Sequence, residues 1–161
     1  MQFHFDSNGN LTPYSKITTD LATFEKVFVT DFENSTTRKT LFDNYLRYLE
    51  AFSKEITPNF TQWINGSFVT LKENPKDIDF VTFIPFEVYE KNKLLIEKSF
   101  WSYALEKEGL DAYIVQIYPE NHKLFLSDTV KFREDWISRF TKTKLSENLI
   151  YFPKGFIEVI Y

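Results

Sequence analysis

The chain has 161 residues, of which 43% are hydrophobic and 26% charged, and its formal net charge at pH 7 is −4. This length predicts one domain around one core, and the acidic balance argues against a protein whose main partner is a nucleic-acid backbone. Because there is no cysteine, disulfides, thiolate nucleophiles and cysteine-ligated metal sites are excluded. The start, MQFHFDSNGN, lacks a signal-peptide pattern, and no apolar run reaches about 18 residues. We therefore expect a cytoplasmic protein without a membrane partner.

The first part of the chain, residues 1–57, is predicted to hold a short strand and two helices. The strand is QFHF at 2–5, which ends in an Asn-Gly turn. In TTDLATFEKVFV, at 18–29, capping residues precede apolar side chains at helical spacing. A longer amphipathic helix is predicted over 38–56, and Pro58 stops it.

The central part, residues 58–119, alternates between strand and helix patterns. A strand over 60–65 ends at Gly66, and SFVTLKE can form about two helical turns. The β-branched and aromatic run DIDFVTFIP, at 77–85, predicts a buried strand. A long helix over 87–109 then ends with Gly109 as its cap, and the strand DAYIVQIYP follows at once.

The last part, residues 120–161, is predicted to add a helix over 129–140 and a final strand over 154–161. No repeat or obvious linker separates the three parts, so the sequence predicts one α+β domain with a mixed sheet. Its oligomeric state stays open.

The stretch WINGSFVTLKENPKDIDFV holds the polar residues that indicate chemistry. Gly66 and Ser67, between a strand and a helix, let the backbone approach an anion and offer it amide and hydroxyl groups, which favours phosphate. Asp77 and Asp79 project from one face of a strand, where two carboxylates repel each other unless a cation joins them. Magnesium suits such a site, because it binds a few carboxylates together with waters and substrate phosphates. Lys76 is a candidate for neutralising phosphate, although a lysine in a polar loop is usually just solvated.

A two-metal arrangement, with ions roughly 3.5–4 Å apart, usually needs a third carboxylate. Asp111 is the best candidate, because it opens the strand after Gly109 and the long helix can return that strand beside Asp79.

The pattern INGS, nine residues, then DIDF resembles the signature of the DNA polymerase beta-like nucleotidyltransferase superfamily. The whole chain is also similar to a bacterial and phage family of unknown function described as nucleotidyltransferase-like, through FDSNGNLTP, WINGSFVT, PKDIDFV, LDAYIVQIYP and KGFIEV. The resemblance implies a minimal nucleotidyltransferase fold. It also implies that Gly66 and Ser67 hold nucleotide phosphates, and that Asp77, Asp79 and Asp111 bind Mg²⁺ or Mn²⁺, with Asp111 as general base. The implied substrate is an NTP, with ATP first, and the acceptor is a hydroxyl of RNA, protein or a small molecule.

Other interpretations remain open at this stage. Gly-Ser is commonly a turn or helix cap, Asp-x-Asp a solvated strand edge, and Asp111 a strand-start residue. Small size also favours a non-catalytic module that binds a nucleotide or a partner protein, such as an antitoxin or a defence component. The run KTKLSENLIYFPKG carries Lys142, Lys144 and Lys154 near two aromatic residues, a weaker pattern for a nucleic-acid strand.

Overall fold

A five-stranded mixed sheet lies at the centre of the fold. The computed structural model describes residues 3–145 and 149–161. Its strands are His4–Phe5 (β1), Leu11–Thr12 (β2), Lys16–Thr18 (β3), Thr61–Asn65 (β4), Ile78–Pro85 (β5), Leu110–Ile117 (β6) and Phe156–Ile160 (β7). β1 and β2 pair separately, and the large sheet has the order β3-β7-β4-β5-β6. β4 runs antiparallel to both neighbours, whereas β3/β7 and β5/β6 are parallel pairs. The predicted α+β class with a mixed sheet is confirmed.

The helices connect the strands of this sheet. They are Leu21–Glu25 (α1), Arg38–Glu55 (α2), Phe86–Leu95 (α3), Ser102–Leu105 (α4) and Lys131–Phe140 (α5). π-helical turns extend three of them, with Lys26–Thr30 after α1, Ile96–Phe100 after α3 and Phe125–Val130 before α5. Asp20 caps α1, because its carboxylate accepts a hydrogen bond from the Thr23 N–H at 2.7 Å. Within the described part of the chain, no helix has both the length and the apolar character needed to cross a membrane.

The two faces of the sheet carry different side chains, because successive residues of a strand point to opposite sides. On one face Phe80 of β5 packs against Tyr45 and Tyr48 of α2, with ring centroids 5.3 and 5.0 Å apart. This face belongs to the larger, aromatic core. The opposite face carries Asp79 and a smaller apolar cluster, which consists of Trp63, Val81, Phe83, Phe140 and Phe156. Asp79 therefore lies on the same face of β5 as Val81 and Phe83 of this cluster.

The segment after Ser67 differs from its prediction. In place of about two helical turns it forms a single 3-10 turn, Ser67–Val69, and Thr70 is extended. The cause is Arg38, a fully buried side chain that donates hydrogen bonds to five backbone carbonyls at 2.6 to 3.3 Å. These belong to Phe28, Phe68, Thr70, Lys72 and Glu73. In a helix the carbonyls lie parallel to the axis, whereas those of Phe68, Thr70, Lys72 and Glu73 converge on one guanidinium group, so the prediction of two helical turns was wrong.

The single helix predicted over 87–109 is also wrong. The chain leaves the helix at Trp101, where the backbone is extended (φ −96°, ψ 153°) and the ring packs on Tyr113 with centroids 6.4 Å apart. Gly109 nevertheless ends the last helical turn in a left-handed conformation (φ 71°), as expected of a C-terminal cap. Its carbonyl accepts a hydrogen bond from the Ile78 N–H at 2.9 Å. Gly109 therefore brings the start of β6 beside the start of β5.

The N-terminal strands were only partly predicted. The strand predicted over 2–5 corresponds to β1, which covers only His4–Phe5. Residue 2 of the prediction lies outside the described residues. β1 pairs with β2 rather than with the large sheet. β2 and β3 were missed, because two or three residues are too short for a strand pattern to stand out.

Candidate active site

Two of the predicted carboxylates meet because the strands that carry them are neighbours in register. Asp79 of β5 pairs with Asp111 of β6, and on its other side Asp79 pairs with Asn65 of β4. Asp77 lies just before β5, two residues from Asp79, and its charge acts on Asp79. The sheet thus gathers acidic and amide groups at one end of its second face.

These groups line a cleft of about 600 Å³, here named the carboxylate cleft. The residues predicted from the sequence as site residues all line it, namely Gly66, Ser67, Lys76, Asp77, Asp79 and Asp111. The far side of the cleft comes from the end of α5 and the segment after it, which contribute Trp136, Arg139 and Lys142. The candidate residues are therefore brought into one place.

Gly66 packs directly against the carboxylate of Asp79. Its backbone has a positive φ of 72°, and a Cβ built at this position would lie 1.6 Å from Asp79 Oδ2. A side chain at residue 66 is therefore excluded both by conformation and by space. The turn that carries Ser67 approaches Asp79 this closely because residue 66 is glycine.

Burial and charge both act on Asp79. Burial first, and then the negative charges of Asp77 and Asp111, raise the pKa of Asp79 to about 6, whereas Lys144 and Lys154 oppose the shift. Above that pH the three acidic groups repel one another, and a cation near them lowers the repulsion. The pKa of Tyr113 is also raised, by burial first and then by the charge of Asp111 and a hydrogen bond with it.

The oxygen atoms of the cleft are suitable ligands for a hard cation, although they do not surround one completely. Among residues 3–145 and 149–161, no three histidine, aspartate or glutamate side chains form a group that could hold a metal ion by itself. Mg²⁺ usually takes one or two carboxylates and completes its shell with waters and substrate phosphates. Asn65 Oδ1 adds an uncharged oxygen, since it is buried without a hydrogen-bond partner in the described structure. The residues present therefore fit Mg²⁺ or Mn²⁺ that shares its coordination with a substrate.

Basic side chains outnumber the acidic ones around the cleft. Three aspartates line it, and so do six cations, which are Lys72, Lys76, Arg139, Lys142, Lys144 and Lys154. The protein as a whole has a net charge of −4, so this excess is local. A cleft of one predominant sign concentrates ligands of the opposite sign, and a polyphosphate is such a ligand.

Comparison with protein-family models matches residues 3–160 to a family described as a family of unknown function, DUF6932. The chain belongs to the DUF6932 family. No curated protein and no solved structure matches the chain. The family description names no activity, so the resemblance to the nucleotidyltransferase superfamily stays a prediction. The matched range of DUF6932 nevertheless spans the whole cleft, whose wall runs from Asn10 to Lys154.

Several cleft residues of this DUF6932 chain were not predicted. Asn65 and Tyr113 each adjoin a predicted group, as Asn65 precedes Gly66 and Tyr113 lies two positions after Asp111 on the same strand. The two-residue period of a strand could have found Tyr113. Arg139 has no comparable signal, because only the packing of α5 against the sheet brings it to the cleft.

The lysines of the basic run near the end of the chain differ in how far they are buried. Lys142 and Lys144 are exposed on the cleft wall, whereas Lys154 is only 4% exposed. Residues 146–148 of that run lie outside the described residues. Burial lowers the pKa of Lys154 to about 8, and the charge of Asp79 opposes this shift. Lys154 is therefore a buried cation rather than part of a surface track.

Proposed function

We propose that this protein is a metal-dependent nucleotidyltransferase that transfers NMP from an NTP, with ATP first among the candidates, to an acceptor hydroxyl. The observation that carries the proposal is the pairing of Asp79 with Asp111 across β5 and β6, in the same cleft as the Gly66–Ser67 turn. Phosphoryl transfer requires carboxylates and groups that can bind phosphate within one cleft.

Each group of the cleft has a role in this proposal. The amides of the Gly66–Ser67 turn and the Ser67 hydroxyl bind phosphate oxygens, and the surrounding lysines neutralise charge on the triphosphate. Asp77, Asp79 and Asp111 would hold Mg²⁺ or Mn²⁺, with Asn65 Oδ1 beside them. Such an ion, when bound, supplies charge neutralisation at the phosphates and at the attacking oxygen.

The chemical step is an in-line displacement. The acceptor oxygen forms a bond to the α-phosphorus, the bond from the α-phosphorus to the bridging oxygen breaks, and pyrophosphate leaves with the electron pair. Asp111 accepts the proton of the acceptor hydroxyl. The cleft contributes mainly position and charge stabilisation, as in other phosphoryl transfers.

The test is label transfer from each α-labelled NTP, in the presence of Mg²⁺ or Mn²⁺ and of host RNA or cell lysate as the source of acceptor. We expect a labelled product with the wild-type protein and a decrease of about 10²-fold or more in Asp79→Asn and Asp111→Asn. The proposal fails if no NTP gives a labelled product, or if both variants label as well as the wild type.

A second candidate function is nucleotide binding without turnover, as in a regulatory or partner-binding module. It is favoured by one observation, the six cations that line the cleft beside three aspartates, because they can hold a polyphosphate by charge without a metal ion. Calorimetry with ATP and Mg²⁺, run beside the labelling assay, separates the two functions. Binding without label transfer supports the module, and binding together with Asp79-dependent transfer supports the enzyme.

A further inference from the structure

Lys154 is a charged side chain that the fold buries at the edge of the carboxylate cleft. It is 4% exposed, and its Nζ donates a hydrogen bond to the carbonyl oxygen of Gly66 at 2.7 Å. Burying an ammonium group is unfavourable unless neighbouring groups compensate for the lost water. Here the Gly66 carbonyl and the nearby charge of Asp79 provide that compensation. Lys154 therefore interacts both with the Gly66–Ser67 turn and with the carboxylate of Asp79.

The backbone fixes Lys154 on both sides. The Lys154 N–H donates to the carbonyl of Thr141 at 3.0 Å, and the Gly155 N–H donates to the carbonyl of Leu11 at 2.6 Å. A Cβ at residue 155 would lie only 2.4 Å from the carbonyl oxygen of Pro13, so a glycine is needed for this close approach. The backbone of Lys154 is therefore held in place just before β7, and its side chain extends from there to the Gly66–Ser67 turn.

The hydrogen bond to Gly66 also controls the next amide group. The carbonyl of Gly66 and the N–H of Ser67 belong to one planar peptide unit, and in a trans unit they point in opposite directions. A cation that holds the oxygen therefore fixes the direction of the Ser67 N–H. That N–H is among the donors on which the proposed phosphate site depends.

We propose that Lys154 is a positioning residue, which holds the Gly66–Ser67 peptide unit so that the Ser67 N–H is directed at a nucleotide phosphate. The ligand in this inference rests on the proposed function, whereas the contact between Lys154 and the turn does not. Lys154 donates its hydrogen bond to the turn, so beyond the charge that it adds to the cleft its effect on binding is exerted through Gly66 and Ser67.

The direct test is the mobility of the turn in the ligand-free protein, measured as ¹⁵N order parameters of the backbone amides. In the wild type we expect the rigid value of about 0.85 at Ser67, and in Lys154→Met a decrease toward about 0.6, with the amides of α2 unchanged. Lys142→Met is the matched control, because it removes an exposed cation from the same cleft and should leave the turn rigid. An unchanged value at Ser67 in Lys154→Met, or an equal decrease throughout the sheet, overturns the proposal. If Lys154→Met does not fold, Lys154→Ala, which removes the donor and leaves less bulk in the interior, is compared with Lys142→Ala by the same criterion.

Binding of ATP with Mg²⁺ supplies a second readout. We expect the Kd to rise at least about tenfold in Lys154→Met, and more than in Lys142→Met, because the former loses both a charge and the fixed N–H. Equal losses in the two variants show that charge alone matters and overturn the positioning role. If the wild type binds no nucleotide, the proposed function fails, and the order parameter of Ser67 still decides whether Lys154 holds the turn.

Discussion

Asp111 stands opposite Asp79 across the parallel strands β5 and β6. The two carboxylates, with Asp77 nearby, face a cleft that also contains more basic than acidic side chains. Their mutual repulsion is visible in the raised pKa of Asp79, which burial brings about first and the charges of Asp77 and Asp111 then increase. Repulsion of this kind lowers the free energy of unfolding, and the loss can be measured.

Asp79→Asn should stabilise the protein at pH 7.5 in EDTA while abolishing label transfer. The pKa of Asp79 is about 6 when folded, against an ordinary value of 3.8, so the folded state holds this proton more tightly than the unfolded state. Stability is therefore lost as pH rises from about 4 to above 6, and the asparagine variant avoids that loss. We expect a gain on the order of 1–3 kcal/mol at pH 7.5 and little gain at pH 4.

Urea unfolding measures the free energy of unfolding of the wild type and of Asp79→Asn at pH 7.5 and pH 4, and so checks the predicted gain. Asp43→Asn, on an exposed i,i+4 pair with Lys39, should change the free energy of unfolding by less than about 0.5 kcal/mol at either pH. A variant at Asp79 that is no more stable than the wild type at pH 7.5 would contradict the electrostatic account.

ATP with Mg²⁺ should raise the melting temperature of the wild type. At a ligand concentration about 100 times Kd the stabilisation is about 2.7 kcal/mol, which corresponds to roughly 5–10 °C for a chain of this size. Adenosine with Mg²⁺, which lacks the phosphates, should give no comparable shift. Differential scanning fluorimetry with Asp79→Asn and Asp111→Asn then tells whether the shift depends on the carboxylates. A shift that persists in both variants places the nucleotide elsewhere.

Gly66→Ala should lose nucleotide binding, whereas Gly9→Ala should lose only stability. Both glycines have a positive φ, 72° and 74°, so both alanine variants bear backbone strain of about 1 kcal/mol. Only at Gly66 would the new Cβ meet Asp79 Oδ2, at 1.6 Å, while at Gly9 the nearest atom is Leu71 Cβ at 3.1 Å. Calorimetry with ATP and Mg²⁺ and a thermal melt of each variant separate the two effects. Equal ATP affinity in both variants would refute a role for the Gly66 turn.

Arg38→Met should destabilise the protein by about 3 kcal/mol or more. It removes the donor of hydrogen bonds to five carbonyls and leaves those in the interior unpaired. Burial lowers the pKa of Arg38 to about 10, so it is charged at neutral pH. Arg47→Met on the same helix, where Arg47 donates to Asn44 at the exposed surface, should cost less than about 0.5 kcal/mol. Denaturant melts of the two variants measure the difference, and equal losses would contradict the structural role of Arg38.

The sequence predicts those parts of the site that are encoded over short distances. The two-residue period of a strand puts Asp77 and Asp79 on one side, and the cap at Gly109 allows β6 to start beside β5, opposite Asp79. These relations depend on local backbone geometry, which residue types largely determine.

The remaining features depend on contacts between distant segments, which local patterns do not encode. The helical period of 38–56 puts Arg38 on the apolar face with Leu41 and Phe42, but no local pattern shows that its guanidinium group binds carbonyls of the segment after Ser67. The break at Trp101 likewise interrupts a run with good helical spacing, because its ring packs on a strand formed later in the chain. Lys154 has the local sequence pattern of a surface lysine, and it is buried because the chain enters the sheet at β7, between β3 and β4.

The position of β7 also bears on the order of synthesis. β7 lies between β3 and β4 in the sheet, although it follows every other strand along the chain. While a ribosome is making residues 1–150, β3 therefore has no partner strand, β4 has one open edge, and Lys154 is not yet available to hold Gly66. Nascent chains up to that point expose an unpaired sheet edge, which is where aggregation and chaperone binding are expected. The contact between Lys154 and the Gly66 carbonyl therefore forms only after the strand order of the sheet has been completed by β7.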